Sequence, residues 1–391
     1  MKTVPLGSLC ELRNGRAFKP EEWSDQGTPI VRIQNLNDES KPFNYCNFEV
    51  DRKFFVESGD LLFSWSGTPG TSFGAFFWNR GRGFLNQHIF RVDTNEAVDR
   101  SYLRYALNSL LDKIIGESHG GVGLKHITKG KLENVEIPLP SISEQHRIAM
   151  ILDKADALRA KRREAIAKLN QLLQSAFLDM FGDGESEIHP VVPLEEAYWF
   201  QEGPGVRKWQ FRDMGVKLLN VGNIEKDGSV NLAKTNRHIS PEEAQGKYKH
   251  FLVDDGDLVI ASSGISFDED GLLRTRGGFI SQEDLPLCMN TSTIRFKAIS
   301  GKSTLRYLHT WISSRGFRAQ ITRLVTGSAQ LNFGPSHLKQ LKISLPPISK
   351  QKEFGKLAYA IDKMKCQHLT SLSQMDVAFA SLQQAAFAGT L

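Results

Sequence analysis

Residues 137–145 read Ile-Pro-Leu-Pro-Ser-Ile-Ser-Glu-Gln, and residues 343–351 read Ile-Ser-Leu-Pro-Pro-Ile-Ser-Lys-Gln. Each stretch ends a segment rich in turns and opens a long run of helix-forming residues. A match of this length at equivalent places indicates an internal duplication, which decides the architecture before any single element is assigned. The chain is therefore expected to contain two copies of one unit, each followed by a long helix.

Shorter matches in the same order support the duplication. They pair residues 4–6 with 192–194, 30–36 with 218–224, 59–62 with 256–259, and 103–105 with 305–307. The spacing between partners grows along the chain, so the second copy carries insertions, as exposed loops tolerate. Short β-like runs, including 30–36 and 218–224 as whole strands, precede a helical stretch in each copy. The predicted fold class is α+β, with two similar mixed α/β domains.

Residues 143–182 and 349–391 predict two long helices of similar length. Neither segment contains a proline, and Ser143 and Ser349 are placed to act as N-caps, with a glycine near each far end. Apolar residues recur at alternating spacings of three and four, which is typical of a coiled-coil seam. The predicted seam is Ile148, Ile151, Ala155, Leu158, Arg162, Ala165, Leu169, Leu172 and Ala176, with Phe354, Leu357, Ile361, Met364, His368, Ser371, Met375, Ala378 and Leu382.

Each predicted seam needs a partner, and the similar lengths favour pairing between the two helices over pairing with another protein. In an antiparallel pair the midpoints meet, which places Arg162 and His368 near a pseudo-two-fold axis. These polar residues either fix the register of the helix pair or extend to solvent. Two similar domains at a fixed separation would suit duplex DNA with two half-sites.

Composition argues against several other classes of protein. Of 391 residues, 40% are hydrophobic and 24% are charged, which supports folded cores rather than a disordered or fibrous chain. No apolar run reaches the length of a membrane span. The four cysteines show no CxxC spacing, so neither disulfides nor a metal site is predicted, and a reducing cytoplasm is the expected location. The net charge of +5 points only weakly to a polyanionic partner.

The duplicated organisation resembles the specificity subunits of type I restriction–modification systems. The residues that carry the likeness are 139–148, 345–351, 59–62 and 86–92. The resemblance covers essentially the whole chain. It implies target-recognition domains at residues 1–142 and 183–348, and helical spacer regions at 143–182 and 349–391.

The resemblance also implies a function. Such a subunit would have no catalytic residues, metal or cofactor of its own, and would read a bipartite asymmetric DNA target with one half per domain. The helices would set the spacing between the halves. Two methyltransferase subunits would use S-adenosylmethionine to methylate adenine at N6, and restriction subunits would use ATP and Mg. The helix starts would dock these partners through Glu144, Gln145, Arg147, Lys350 and Gln351.

Candidate DNA-contacting residues lie on turns, since base readout needs side chains with donors and acceptors that can enter a groove. Residues 78–84 and 274–279 each hold two arginines beside glycine and are interpreted as counterparts. The other candidates lie on the glycine-rich turns after the helices and at the strand starts at 86–88 and 290–292. The predicted residues are Arg80, Arg82, Asn86, Gln87, Lys125, His126, Arg274, Arg276, Gln330 and Asn332.

Several alternatives stay open at this point. Each of these turns also fits an ordinary connection without a DNA role, and the basic run 159–163 is either a solvated helix face or a contact with spacer phosphates. A protein-scaffolding adaptor would use the same coiled coil to carry two protein-binding domains. A fragment of a fused methyltransferase–specificity enzyme is disfavoured, because the chain has no Asn/Asp-Pro-Pro-aromatic sequence of the kind that amino-methyltransferases use.

Overall fold

The computed structural model describes residues 2–67, 72–116, 125–183, 189–225, 227–268, 270–325 and 331–391. The chain folds as two compact units. The first comprises Met1–Glu164 and Leu369–Leu391, and the second comprises Ala165–His368. Each unit holds one copy of the repeat together with part of each long helix. No helix within these described ranges is long and apolar enough to cross a membrane.

Short strands and helices build the first unit. Its strands are β1 (Thr3–Pro5), β2 (Cys10–Asn14), β3 (Thr28–Val31), β4 (Asn44–Cys46), β5 (Phe55–Val56), β6 (Leu61–Ser64), β7 (Ser66–Gly67), β8 (Gly74–Phe77), β9 (Gly83–Leu85), β10 (Ile89–Thr94), β11 (Lys125–His126) and β12 (Glu136–Pro138). Its helices are α1 (Ile33–Asn37), α2 (Arg100–Ser109), α3 (Leu111–Gly116) and α4 (Lys129–Glu133), followed by the long helix α5 (Ile142–Phe181), which continues into the second unit.

Two four-stranded sheets organise the first unit. One is antiparallel in the order β2-β10-β6-β8, and the other is mixed in the order β4-β3-β9-β5, with β3 parallel to β9. Strands β1 and β12 pair beside them, as do β7 and β11. The main core lies between the antiparallel sheet and helices, and includes Phe63, Tyr102, Ile148 and Phe379. The removal of these apolar side chains from water holds the helix start against the sheet.

The second unit repeats this topology. Its strands are β13 (Val191–Pro193), β14 (Tyr198–Glu202), β15 (Val216–Leu219), β16 (His238–Ile239), β17 (Leu258–Ala261), β18 (Ser266–Phe267), β19 (Leu273–Arg274), β20 (Gly277–Phe279), β21 (Leu287–Met289), β22 (Thr293–Ala298) and β23 (Lys342–Ser344). Its helices are α6 (Leu194–Ala197), α7 (Pro241–Gln245), α8 (Leu305–Ile312), α9 (Arg315–Leu324) and α10 (Pro335–Leu338), followed by the long helix α11 (Ile348–Ala388), which ends in the first unit.

The sheets of the two units correspond strand by strand. The order β14-β22-β17-β20 matches β2-β10-β6-β8, and β16-β15-β21 matches β4-β3-β9, with β15 parallel to β21. The pair β13 and β23 matches β1 and β12. The predicted duplication and α+β fold class are confirmed.

The Gly-Asp motif of each copy makes the same turn before a central strand. Gly59 and Gly256 take positive φ angles of 94° and 77°, which suits glycine because it has no Cβ to clash. Asp60 and Asp257 each accept a hydrogen bond from the backbone N–H three residues earlier, over 2.8 and 2.9 Å. The turn geometry explains why these residues recur at 59–62 and 256–259.

The predicted strands at 30–36 and 218–224 end earlier than expected, so that prediction is wrong in its second half. Strand β3 stops at Val31 and β15 at Leu219, and a helical turn follows each. The cause is a buried asparagine, Asn35 or Asn223, whose Oδ1 accepts a hydrogen bond from the backbone N–H three residues before it. This local bond competes with the strand ladder and bends the chain.

The predicted match of residues 103–105 with 305–307 is wrong by one helical turn. The hydroxyls of Tyr102 and Tyr307 donate to carbonyl oxygens of β12 and β23, both over 2.6 Å. These tyrosines are therefore the true counterparts. The two Leu-Arg-Tyr sequences therefore match each other one helical turn out of register. Residues three apart lie on the same helix face, so the two registers give a similar sequence pattern.

The long helices start slightly before the expected residues. The backbone N–H of Gln145 donates to the carbonyl of Ser141, and that of Gln351 donates to the carbonyl of Pro347. Ser141 and Pro347 therefore hold the N-cap positions, and the prediction that Ser143 and its repeat would be N-caps is wrong. The glycine after each helix has a positive φ, 76° and 79°, as expected of a helix stop.

The two long helices pair antiparallel within each unit. In the first unit the start of α5 contacts the end of α11, with Arg147 bonded to the carbonyl of Leu391 and Arg159 to Asp376. In the second unit the end of α5 meets the start of α11, where the rings of Phe177 and Phe354 lie 5.5 Å apart. The predicted antiparallel pairing is confirmed.

The predicted seam is wrong at several positions. Leu158 and Leu172 are 56% and 52% exposed, whereas Arg159 is largely covered. In α11, Met364 is exposed while Ala358 is fully buried. The real seam is rotated by about one residue in these parts of each helix, and beside Leu158 the Arg159–Asp376 ion pair takes the inner position that the sequence pattern gave to leucine.

Candidate nucleic-acid interface

A sharp backbone turn joins the two sheets of the first unit between β9 and β10. His88 lies in this turn with a φ of 72°, a conformation that non-glycine residues adopt rarely. Its carbonyl accepts a hydrogen bond from the N–H of Trp65 over 3.1 Å, and the N–H of Gln87 donates to the carbonyl of Arg16 over 2.8 Å. These bonds fix the backbone of residues 86–88.

The fixed turn lines a cavity of about 490 Å³. Strand β11 reaches the same cavity because Lys125 pairs with Gly67 and His126 with Ser66. The walls are formed by Arg32, Ile33, Gln34, Ser66, Gly67, Ser72, Asn86, Gln87, His88, Lys125 and His126. Two predicted groups, Asn86 with Gln87 and Lys125 with His126, are therefore brought together. We call this cavity the first cleft.

The first cleft mixes donors and acceptors. Burial lowers the pKa of His88, and the nearby His126 lowers it further, so the His88 ring is neutral near neutral pH. Among the described residues, Oδ1 of Asn86 and Nδ1 of His88 are buried and have no hydrogen-bond partner. Amide and neutral imidazole groups can each donate and accept, while Lys125 adds a cation. This combination suits base edges in a groove.

Two residues of the first cleft, Arg32 and Gln34, were not predicted from the sequence. Arg32 donates to Oδ1 of Asn44 over 2.8 Å, and its guanidinium lies 4.9 Å from the ring centre of Trp23. These contacts hold the guanidinium at the cleft wall. The sequence feature that could have identified these two residues is their position directly after β3, where the second copy also carries polar residues.

The second unit contains the same turn. Ser292 has a φ of 69°, and its carbonyl accepts from the N–H of Ser262 over 2.9 Å, as His88 accepts from Trp65. The predicted correspondence of residues 290–292 with 86–88 is confirmed. The side chains differ, because the Asn290 amide is buried and donates to Oδ1 of Asn220 over 2.8 Å.

We call the corresponding cavity of the second unit the second cleft, and the strand pairing beside it is the same as in the first unit. Asn332 pairs with Ser263 as His126 pairs with Ser66, so Asn332 is the counterpart of His126. A cavity of about 220 Å³ is lined by Gly264, Ile265, Ser266, Arg274, Thr275 and Arg276. Gln330 and the glycine-rich turn at 120–124 lie outside the described residues.

Arg274 and Arg276 are therefore cleft residues, but their predicted counterparts are not. Strand β20 pairs with β17 as β8 pairs with β6, so residues 274–276 match 72–74 rather than 80–82. The predicted equivalence of the two arginine motifs is wrong, because the first motif follows its strand and the second precedes its strand. Arg274 lies 3.6 Å from Oδ2 of the buried Asp268.

The arginines of the first motif have structural partners. Arg80 donates to the carbonyls of Asn35 and Glu39 over 2.7 and 2.8 Å, and stacks over Phe43 and Trp78. Its guanidinium thus holds a loop in place. The exposed Arg82 forms a 2.6 Å ion pair with Glu57 beside an open groove that also carries Glu49 and Asp51. Arg52 and Arg82 line the same groove, so its lining carries two carboxylates and two guanidinium groups.

The glutamine at the start of each long helix is a clamp, not a docking residue. Gln145 is 1% exposed and Gln351 is fully buried. Their Oε1 atoms accept from the N–H of Asp99 and of Thr304 over 2.8 and 2.9 Å, and each amide donates to two carbonyls. A buried side chain cannot contact a partner, so the docking prediction is wrong for both.

The other predicted docking residues remain at the surface or near it. Lys350 is exposed. Glu144 accepts two hydrogen bonds from Arg147, over 2.7 and 2.8 Å, and Arg147 also donates to the carbonyl of Leu391. The exposed part of this pair keeps a docking role as a prediction.

The register residues Arg162 and His368 are both half-buried, and their role in helix register stays a prediction. The polar contact seen in the first unit uses other residues. Nε of Arg159 lies 2.6 Å from Oδ1 of Asp376, and its guanidinium lies 4.2 Å from the ring centre of Phe379. Part of the basic run at 159–163 is therefore neutralised inside the protein.

With this geometry in place, comparison with known proteins identifies the class. A profile of the family described as "Type I restriction modification DNA specificity domain" matches residues 1–171 and 215–370. The match covers most of the chain and occurs once per repeat. The chain belongs to this family of DNA specificity proteins.

Individual relatives agree with this membership. The MjaVIII specificity subunit of Methanocaldococcus jannaschii is 26% identical, over 93% of this chain and 86% of the relative. The EcoBI specificity subunit of Escherichia coli is 24% identical, over 99% and 85%. The S subunit from M. genitalium has a similar fold, with a TM-score of 0.56 at 15% identity over 99% of this chain and 96% of that chain.

Proposed function

We propose that the chain is the DNA-reading subunit of a type I restriction–modification enzyme and selects a bipartite asymmetric target, with one half read by each cleft. The observation that carries the proposal is the pair of turns at His88 and Ser292, which share one backbone conformation but display different side chains. An identical scaffold with different donors and acceptors would select two different half-sites.

The chemistry would come from partner subunits. Two methyltransferase subunits would carry S-adenosylmethionine and methylate adenine at N6, and restriction subunits would carry ATP and Mg. This chain would supply binding free energy and orientation. A solved relative with a TM-score of 0.51 and 14% identity, covering 100% of this chain and 98% of its own, comes from work on complex assembly of the type I R-M system. That relative supports partner assembly as part of the proposal.

The long helices would set the separation of the two half-sites. They contain 40 and 41 residues and pair antiparallel within each unit, so neither is a flexible linker. The exposed residues at the helix starts, Lys350 and the Glu144–Arg147 pair, would contribute to the docking of methyltransferase subunits.

The experiment that tests this proposal maps N6-methyladenine in DNA from cells that express the chain with its methyltransferase partner. Replacing residues 1–142 with the same domain of another family member should change one half of the methylated motif and leave the other half and the spacing intact. A swap that alters both halves, or methylation without any motif, would contradict the proposal that each domain reads one half of the target.

A further inference from the structure

A solvent-exposed tryptophan stands on the turn formed by residues 203–215 of the second unit. Trp209 is 73% exposed and Met214 on the same turn is 83% exposed. Tryptophan side chains are usually well covered in folded proteins, so these two large exposed side chains on one turn form a candidate interaction surface.

The turn is held rigidly under the exposed ring. The neighbouring Gln210 is buried, accepts from the N–H of Arg207 over 3.1 Å, and donates to Oε1 of Glu243 over 2.6 Å and to the hydroxyl of Tyr248 over 3.0 Å. A preorganised aromatic side chain loses little conformational entropy when a partner covers it. The bonds of Gln210 therefore fix the turn that holds Trp209 at the surface.

The surface around Trp209 is cationic. Arg207, Lys208 and Arg212 are all exposed, against one exposed carboxylate on the same turn, Asp213. Within the part of the chain that the structure describes, neither Arg207 nor Lys208 forms an ion pair, and Arg212 donates to the carbonyls of Trp209 and Phe211. Unpaired cations beside an aromatic ring favour a polyanionic partner with flat apolar groups, which is the chemistry of nucleic acid.

The turn at residues 203–215 starts beside the turn at residues 290–292. The N–H of Gly203 donates to the carbonyl of Thr293 over 2.9 Å, and a Cβ at Gly203 would lie only 2.2 Å from the carbonyl oxygen of Asn290. The hydroxyl of Thr291 donates to the carbonyl of Pro204 over 3.1 Å. A duplex read by the turn at Ser292 would therefore lie beside residues 203–215.

The first unit has the same turn, with the cation Lys19 at the position of Arg207 but with a carboxylate in place of the aromatic ring. Lys19 and Arg207 make the equivalent backbone bond, to Glu22 and to Gln210, which places Glu21 at the position of Trp209. The first-unit turn is thus acidic at its tip, with no aromatic ring there. The cationic aromatic tip is a feature of the second unit.

We propose that the turn at 203–215 is a second DNA-contacting element of the second unit, in which Arg207 and Lys208 bind backbone phosphates and Trp209 packs against the sugars and bases of the duplex. The proposal rests on the DNA-reading function proposed above. It adds a contact that strengthens binding next to the second half-site and has no equivalent at the first.

The test measures duplex affinity by fluorescence anisotropy, using the full chain assembled with its methyltransferase subunits and the motif mapped for the wild type. Trp209→Ala should weaken binding by about tenfold, and Trp209→Phe should restore most of it, since an aromatic ring that can pack against the sugars and the groove edges of the bases is retained. Arg207→Ala and Lys208→Ala should each lower the slope of log affinity against log salt by about 1. Glu21→Ala, at the matching tip in the first unit, should not weaken binding.

The outcomes separate the two proposals. If the wild-type assembly shows no preference for its motif, the proposed function fails. If the wild type is specific but Trp209→Ala binds the duplex equally well, the turn is not a DNA contact. Loss of methyltransferase assembly in Trp209→Ala, with unchanged duplex affinity per assembled complex, would make the surface a protein-docking site and would also overturn the inference.

Discussion

Nε of Arg159 lies 2.6 Å from Oδ1 of Asp376, and this ion pair joins the two long helices inside the first unit. Arg159 also bonds to Asp156 on its own helix over 2.8 Å. Since Arg159 is only 17% exposed, it has less water to replace a lost partner than a surface arginine has.

We expect Asp376→Ala to lower the free energy of unfolding by about 1 kcal/mol, because it leaves the covered guanidinium with one partner fewer. Arg159→Ala should cost at least as much, since it also removes packing on Phe379. A double-mutant cycle in urea unfolding measures the coupling. Additive effects of the two substitutions would show that the ion pair does not join the helices energetically.

The buried glutamines at the helix starts give a second prediction. Gln145→Ala and Gln351→Ala each leave a backbone N–H and two carbonyls without their partner, so each should lower the free energy of unfolding by about 2 kcal/mol. Urea unfolding measures the effect. The exposed neighbour Lys350→Ala is the control and should change the free energy by less than about 0.5 kcal/mol.

The same variants distinguish a clamp from a docking residue. Lys350→Ala should weaken the affinity for a methyltransferase subunit without loss of stability. A Gln351→Ala protein with wild-type stability and lost partner binding would contradict the clamp.

The outline of the fold was predictable because the duplicated copies repeat the residues that make its turns and clamps. Gln145 and Gln351 recur because both close the same buried contacts, and the Gly-Asp turns recur because both need a positive φ. These requirements are local, so they can be recognised as residues that recur at equivalent positions of the sequence. The recurrence identified the repeat but could not distinguish a structural clamp from a docking residue.

The seam and the clefts were harder to predict because they depend on contacts between distant residues. Leu158 fits a coiled-coil pattern better than Arg159, and only the presence of Asp376 across the helix pair makes the arginine the inner residue. Likewise, no local pattern shows that Lys125 reaches the turn at residues 86–88, since strand pairing with β7 brings it there.

A pH dependence follows from His309, which lies in α8 with Nε2 3.1 Å from the carbonyl oxygen of Gly277. Burial lowers the pKa of His309 from its ordinary value of 6.5; the Gly277 carbonyl and Asp362 oppose this change, while Arg306 and Lys365 add to it. As the pH falls, the unfolded chain therefore binds a proton at His309 at a higher pH than the folded chain does. Stability is present in full above pH 6.5 and is lost as the pH falls toward the lower pKa of the folded state.

We expect His309→Gln to flatten this acid-side loss while lowering stability at neutral pH, because glutamine has no titrating ring. Thermal unfolding from about pH 8 to pH 5 tests the effect. An unchanged slope in His309→Gln would assign the acid sensitivity to other groups.

The proposed spacing function gives a prediction about the helices. Adding one heptad to both α5 and α11, at positions that stay paired, lengthens each helix by about 10 Å and preserves the seam. Mapping of N6-methyladenine should then show both half-sites unchanged and a wider gap between them. A heptad added to α5 alone is the control and should destabilise the helix pair. An altered half-site after the matched insertion would count against the helices as a ruler.

The clefts give the last prediction, which concerns half-site specificity. Gln87 is exposed on the rim of the first cleft, and Arg276 lines the second. An amide suits adenine and a guanidinium suits guanine, and each such contact contributes about 1–3 kcal/mol of discrimination. Gln87→Ala should therefore relax one position in one half of the methylated motif, and Arg276→Ala one position in the other half.

Methylation mapping of the two variants and the double variant tests this assignment, since the two effects should add without changing the spacing. Arg80→Ala is the matched control, because its guanidinium is bonded to loop carbonyls rather than to the cleft. That variant should lose stability and keep the motif. If Arg80→Ala changed the motif while Gln87→Ala left it intact, base reading would belong to the loop beside β8 and not to the cleft at His88.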